Sequence, residues 1–139
     1  MNLTKSEAVR LHREMWNWIA DELEDGTLWN IYDLKNLYLD EIGIDSDEVD
    51  NSCFCCEYTR TDGNIFDCSR CPLIWGTEEN VKEYFCEEGL LDIPEGLPAP
   101  DINTEGLWTN ARELIWEDRQ EDAAKYARYI ANLPEKEDV

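Results

Sequence analysis

Two cysteine pairs separated by a short polar turn decide how this chain folds. The stretch reads CFCCEYTRTDGNIFDCSRC over residues 53–71, and its pairs are Cys53–x2–Cys56 and Cys68–x2–Cys71. Two intervening residues let both sulfurs of a pair reach one metal ion from a tight turn, and two such pairs complete a tetrahedral shell. We therefore expect these four cysteines to bind one structural zinc ion, with no position left open for water or substrate.

Other roles for the cysteines are open to different degrees. A disulfide framework has no export signal to support it, and a redox Cys-x-x-Cys site is disfavoured because there are two pairs and no surrounding βαβ pattern. An iron–sulfur cluster also takes four thiolates, so it stays an alternative to zinc. Cys55 and Cys86 are left over, and for Cys86, beside Phe85 on a predicted helix, we expect a buried free thiol.

The chain around the cysteines predicts a mainly α protein with a small zinc-knuckle/β-hairpin insert. Residues 61–64, Thr-Asp-Gly-Asn, have strong turn chemistry and favour a short two-stranded ribbon inside a cysteine unit at 53–76. A length of 139 residues suits a single compact domain. Hydrophobic periodicity and stop signals predict helices at about 4–25, 28–41, 77–88 and 107–132.

Local signals set the limits of these elements. Thr4 and Glu7 form a capping-box pattern at the start of the first helix, and Gly26 and Gly43 predict the ends of the first two helices. An acidic linker is expected at 40–50 and a Pro/Gly connector at 92–106. Pro134 ends the last helix, so we expect a frayed tail at 135–139.

The second decisive feature is charge. Thirty-three acidic residues against twelve basic ones give a formal net charge of −21 at pH 7. Four thiolates and one zinc ion would make this roughly −23. Such a surface repels nucleic acids and anionic membranes, and it attracts basic surfaces, many of which belong to proteins that handle DNA or RNA.

The acidic residues are densest between positions 40 and 50, where no basic residue occurs. A solvated loop and helix end is the ordinary interpretation of such a run. The functional interpretation is a contact surface for a basic partner. The six residues are Asp40, Glu41, Asp45, Asp47, Glu48 and Asp50.

The start of the chain carries no targeting signal, because Met-Asn-Leu-Thr-Lys leads directly into a charged amphipathic stretch. No segment approaches the roughly 18 apolar residues of a membrane span. We therefore expect a cytoplasmic protein whose thiols stay reduced.

Catalytic signals are weak. His12 is the only histidine, and no nucleophile or acid is signalled beside it, so a packed or surface histidine is favoured. Asp45-Ser46-Asp47 is similar to the opening of a calcium loop, but Asp50 stands where that loop needs glycine. The six tryptophans are expected in the core, with one or two as exposed interface anchors.

Four segments together resemble small, mostly uncharacterised zinc-ribbon-like proteins of bacteriophages and prophages. They are CFCCEY at 53–58, CSRCPLIWG at 68–76, HREMWNWI at 12–19 and YIANLP at 129–134. The resemblance carries over only the ligands Cys53, Cys56, Cys68 and Cys71, and it carries over no activity. It also implies a protein that acts in the host cytoplasm by binding a host protein.

Charge and resemblance together favour a non-enzymatic inhibitor of a basic, nucleic-acid-handling host or defence factor, such as a CRISPR or restriction component. Carboxylates on helices can imitate the spacing of DNA phosphates, as DNA mimics do. The alternative is a zinc-ribbon regulator that binds nucleic acid directly through Arg60 and Arg70. A small enzyme around His12 is a third hypothesis, and the oligomeric state stays open.

Overall fold

The computed structural model describes residues 3–49, 53–61, 65–66, 70–74, 96–101 and 106–136. These residues confirm the prediction of a mainly helical chain. The elements, in chain order, are α1 (Lys5–Glu24), α2 (Ile31–Ile42), a 3-10 turn (Ser46–Glu48), α3 (Phe54–Thr59), β1 (Arg60–Thr61), β2 (Ile65–Phe66), α4 (Leu107–Trp116) and α5 (Gln120–Ala131).

The capping box predicted for α1 is present. The Thr4 side chain accepts a hydrogen bond from the Glu7 amide at 3.1 Å, and the Glu7 carboxylate accepts one from the Thr4 amide at 3.1 Å. These bonds satisfy amides that have no partner within the helix. The helix therefore begins where its polar cap meets the first buried residues, Ala8 and Val9.

The start predicted for α2, residue 28, is wrong by three positions. Asn30 is the N-cap, and its side-chain oxygen accepts a hydrogen bond from the Asp33 amide at 2.9 Å. An asparagine cap outweighs the apolar character of Leu28, which stays outside the helix with 90% of its surface exposed. At the other end, Gly43 takes a left-handed φ of +79°, as the predicted stop requires.

The core lies mainly between α1 and α5, which pack more extensively than any other pair of described elements. Ile19 and Ala20 of α1 and Ala127 and Ile130 of α5 are fully buried. Small alanine side chains let two helix backbones approach closely. α4 packs on α5, and both α2 and α3 pack on α1.

The predicted single helix at 107–132 is wrong, because the chain breaks into α4 and α5. Asp118 between them has a φ of +58°, which aspartate tolerates better than most residues. Residues 117–122 are polar on all sides, so no buried face holds this stretch in a continuous helix. The Arg119 side chain holds the break by bonding Asp122 (2.9 Å) and Glu117 (3.2 Å).

The predicted fraying of the tail is wrong at its first two residues. Glu135 forms a β-bridge with Leu73, and the Lys136 amide donates to the Pro72 carbonyl at 2.7 Å. Lys136 is also 3% exposed. Backbone pairing with the segment after Cys71 therefore holds Glu135 and Lys136 in place, although Pro134 and the charges that follow it predict a frayed end.

The cysteine unit is only partly described. β1 and β2 pair antiparallel over two residues each, with Arg60 opposite Phe66 and Thr61 opposite Ile65. The predicted helix at 77–88, Cys68, Cys86, Asp50 and most of the connector at 92–106 lie outside the described residues. In the connector, Pro98 is described, and its carbonyl accepts a 2.8 Å hydrogen bond from the Tyr126 hydroxyl.

None of the helices in the described part of the chain is long and apolar enough to cross a lipid bilayer.

The Leu34→Ala substitution should lower the free energy of unfolding by about 2–5 kcal/mol, because Leu34 is fully buried and truncation leaves a cavity. The matched control is Leu28→Ala, which removes the same atoms from an exposed site and should change it by less than about 0.5 kcal/mol. Urea unfolding followed by circular dichroism measures both. Equal losses in the two variants would contradict the core described here.

Candidate metal centre and exposed aromatic surface

The first cysteine pair is built around the start of α3. The Cys56 amide donates to Cys53 Sγ at 3.3 Å, and the Glu57 amide donates to the Cys53 carbonyl at 3.1 Å. Cys53 therefore stands where a helix cap stands, with its sulfur facing free amides. Amide donors to a sulfur also stabilise thiolate ligands of metals, so this geometry suits the predicted metal role of Cys53 and Cys56.

The cysteine side chains lie in electrostatic contact with one another. A hydrogen bond from the Cys56 side chain, together with the Lys35 ammonium and the Cys56 amide, lowers the pKa of the Cys53 thiol. A hydrogen bond to the Cys71 side chain, together with burial, raises the pKa of Cys55 well above its usual value. The Cys53 thiol is thus easier to ionise than an ordinary cysteine, while Cys55 is a neutral thiol hydrogen-bonded to the Cys71 side chain.

Three of the four cysteines predicted to bind zinc, Cys53, Cys56 and Cys71, are described by the structure. Cys53, Cys55, Cys56 and Cys71 form no disulfide. Among the residues that the structure describes, no group of three or more Cys, His, Asp or Glu side chains is arranged to hold a metal ion. Because Cys68 lies outside these residues, the structure brings Cys71 to the cysteine cluster but leaves the complete shell a prediction.

Two parts of the fold hold the cysteine segment in place. Phe54 and Cys55 are buried, and α3 packs on α1. On the other side, the Ile74 amide donates to the Pro134 carbonyl at 2.9 Å, next to the bridge between Leu73 and Glu135. The thiols are therefore positioned by the first helix and by the end of the chain.

A row of alternating rings and cations runs from this region towards the surface. We call it the aromatic–cation ladder, and its members are Trp16, Lys35, Trp108, Arg112 and Trp116. Lys35 Nζ lies 5.4 Å from the Trp16 ring centre and 5.3 Å from that of Trp108. Arg112 Cζ lies 5.4 Å from the Trp108 ring centre and 4.7 Å from that of Trp116. Each distance is within the range of cation–π attraction.

The outer end of the ladder is open to solvent. Trp116 is 55% exposed, and Tyr32, whose ring contacts Trp108 at 5.7 Å, is 48% exposed. Trp29 is 54% exposed and, with Leu28, comes directly before the Asn30 cap of α2. Sequence reasoning expected one or two exposed tryptophans without saying which. The feature of the sequence that could have pointed to Trp116 is the four-residue spacing of Trp108, Arg112 and Trp116, which places them on one face of α4.

The acidic residues proposed for partner binding face solvent. Asp40, Glu41, Asp45, Asp47 and Glu48 are all exposed, and none of them forms an ion pair with another described residue. Asp40 and Glu41 stand in the last turn of α2, while Asp47 and Glu48 belong to the 3-10 turn. The predicted linker is therefore short and partly helical.

His12 lies in the core rather than at a surface cleft. It is 2% exposed, and its Nε2–H donates to the Ile130 carbonyl at 3.0 Å. Burial lowers the pKa of His12 to about 4, assisted by the positive charges of Lys35 and Arg13 and opposed by the bond to Ile130. Of the two roles predicted for His12, packed or at the surface, the structure confirms the packed one.

Comparison with protein-family models, curated proteins and solved structures finds no match to this chain. The resemblance to phage zinc-ribbon-like proteins therefore stays a prediction, and the functional argument depends on the chain's own residues.

His12 should make stability depend on pH. Its folded pKa of about 4 lies below the unfolded value of 6.5, so between these pH values the unfolded chain binds a proton that the native protein excludes. Stability is therefore lost as pH falls from 6.5 to 4, by about 3 kcal/mol.

The matched variant is His12→Gln, which keeps an N–H donor but does not titrate. Unfolding by urea at several pH values should show a flatter profile for this variant than for the wild type. The carboxylates contribute equally to both profiles, so parallel profiles would contradict the buried neutral histidine.

Proposed function

We propose that this protein is a non-enzymatic binding protein that uses a surplus of surface carboxylates to engage a basic protein partner. The observation that carries the proposal is how the chain uses its few cations. Five arginines form ion pairs with carboxylates of the chain itself; they are Arg10, Arg13, Arg112, Arg119 and Arg128. The surface left to attract a partner is therefore strongly negative, within a chain of net charge −21.

The proposed contact surface is the acidic segment at 40–50. Its described carboxylates are exposed and form no ion pair with a described residue, so a partner's lysines and arginines would meet them without displacing an internal ion pair. Two neighbouring apolar side chains, Leu37 and Ile42, are 37% and 40% exposed and would add apolar contact. Long-range attraction between such opposite charges speeds association and favours basic partners over neutral ones.

We propose that the partner is a nucleic-acid-handling host or defence protein. Proteins of this class carry basic grooves that bind phosphates, and carboxylates held on helices and short turns are a fitting substitute for phosphates. Asp40 and Glu41 on α2, followed by Asp47 and Glu48 on the 3-10 turn, offer such a series. The same charge makes direct binding of nucleic acid through Arg60 and Arg70 the weaker hypothesis.

We propose that a zinc ion bound by Cys53, Cys56, Cys68 and Cys71 stabilises this scaffold. Support comes from the spacing of the pairs, from the Cys56 amide bonded to Cys53 Sγ, and from the place of Cys71 beside Cys55. A zinc ion with four thiolate ligands has no open position, so it supplies stability rather than chemistry.

Zinc content measured by elemental analysis should be one ion per chain in the reduced wild-type protein. Cys53→Ser and Cys71→Ser should each lose the ion, because a hydroxyl is a poor replacement for a thiolate ligand. The matched control is Cys55→Ser, whose thiol is neutral and bonded to Cys71, and it should keep the ion. If Cys55→Ser alone loses the zinc ion, the ligand assignment proposed here is wrong.

Affinity capture from host extract, with the retained proteins identified by mass spectrometry, tests the partner class. We expect basic nucleic-acid-binding proteins, released by salt and by added duplex DNA because DNA competes for the same groove. The double variant Asp47→Lys/Glu48→Lys should retain much less of them.

The control variant is Glu14→Lys/Glu121→Lys, which changes net charge equally at exposed positions of α1 and α5. It should retain the partner better than the first variant. Equal loss of the partner from both variants would mean that net charge alone, and not the acidic segment, causes the binding. Capture of no basic protein would contradict the proposed function.

A further inference from the structure

We propose that the outer end of the aromatic–cation ladder is a second contact surface for the same basic partner, and that Trp116 receives a lysine or arginine side chain of that partner on its exposed ring. This inference rests on the proposed function, because it takes the partner to be basic. It adds a specific residue and a specific contact to a proposal that otherwise depends on charge alone.

The ladder leaves one position to fill. Lys35 lies between the rings of Trp16 and Trp108, and Arg112 between those of Trp108 and Trp116, so rings and cations alternate until the ladder ends at Trp116. Trp116 has a cation 4.7 Å from its ring centre and keeps 55% of its surface in solvent. Among the described residues no further cation lies over the Trp116 ring, so we assign the next position of the series to another molecule.

A tryptophan with two cations already exists in this protein. Lys35 and Arg112 lie 5.3 Å and 5.4 Å from the ring centre of Trp108. A second cation beside Trp116 would therefore repeat an arrangement that the chain itself builds. Partial removal of water strengthens such contacts, and docking of a partner would supply it.

The surface around Trp116 is preorganised for binding. The Arg112 guanidinium donates to Glu113 Oε1 at 3.3 Å and lies between the Trp108 and Trp116 rings, so the cation behind Trp116 is held in place. Little side-chain freedom remains to be lost there when a partner binds. Tryptophan, tyrosine and arginine are also the residues most enriched where binding energy concentrates.

Charge selects the occupant. Asp118, two residues after Trp116, is exposed, whereas the Glu117 carboxylate is bonded to Arg119 and to the Asp101 amide. An arginine or lysine side chain suits both the ring and the field set by the chain's net charge of −21, whereas a nucleic acid base would bring its phosphates into that field.

The experiment uses an arginine-rich peptide as probe and its citrulline twin, which has the same shape without the charge. Indole N–H signals of the full-length protein are followed by NMR, with the Trp116 signal assigned from a Trp116→Phe variant. We expect the Trp116 signal to move with the arginine peptide and not with the citrulline peptide. Trp116→Ala should weaken arginine-peptide binding roughly two- to fivefold, and Trp116→Phe should restore part of it.

The control variant is Ser6→Ala, at an exposed position of α1 that belongs to neither proposed contact surface, and it should leave peptide affinity unchanged. If the peptide binds wild type and Trp116→Ala equally, the inference is overturned and the proposed function stands. If wild type fails to bind the arginine peptide at low salt, the proposed function itself is overturned. A Trp116 signal that moves equally with the citrulline peptide, or with protein concentration alone, overturns the inference in favour of neutral stacking or of a second copy of this chain.

Discussion

The contact between α1 and the end of α5 is the interaction on which the rest of the described structure depends. The last carbonyls of a helix have no partner within it. Here α1 supplies the partners, because Nε2–H of His12 donates to the Ile130 carbonyl at 3.0 Å and the Arg13 guanidinium donates to the carbonyls of Ala131 (3.1 Å) and Leu133 (3.0 Å). In the other direction, the Arg128 side chain of α5 forms ion pairs with Asp21 and Glu24 of α1. Three cationic or polar side chains thus join two helices in a chain whose net charge opposes compaction.

This contact also fixes both candidate functional regions. Because α5 ends against α1, residues 134–136 pair with the segment at 72–74, which follows Cys71. The packing of α3 on α1 positions Cys53 and Cys55. The aromatic–cation ladder starts at Trp16 on the same helix, and Lys35 within it also acts on the Cys53 thiol. The proposed metal centre and the proposed aromatic contact surface therefore share one buried lysine, and a change at Lys35 would be felt at both.

The sequence predicts those features whose causes are local. The capping box at Thr4 and Glu7 and the left-handed stop at Gly43 are set by short-range hydrogen bonding, so they can be recognised from neighbouring residues. The apolar stripe of α1 is equally visible, since a spacing of three and four residues suffices to find it. The exposed position of Trp116 could have been inferred only from the spacing of Trp108, Arg112 and Trp116 together with the knowledge that α2 contacts Trp108.

Features whose causes are distant in sequence could not be predicted in the same way. The break at Asp118 involves neither proline nor glycine, and it is held by Arg119 contacts that reach Ala99 as well as Asp122. The order at Glu135 and Lys136 comes from pairing with residues more than sixty positions earlier. Native mass spectrometry of the reduced protein, isolated with what it retains from host extract, tests most directly whether a zinc-stabilised acidic scaffold holds a basic partner. The account predicts one zinc ion per chain and a salt-sensitive complex with a basic protein; a metal-free chain with no retained basic protein would contradict it.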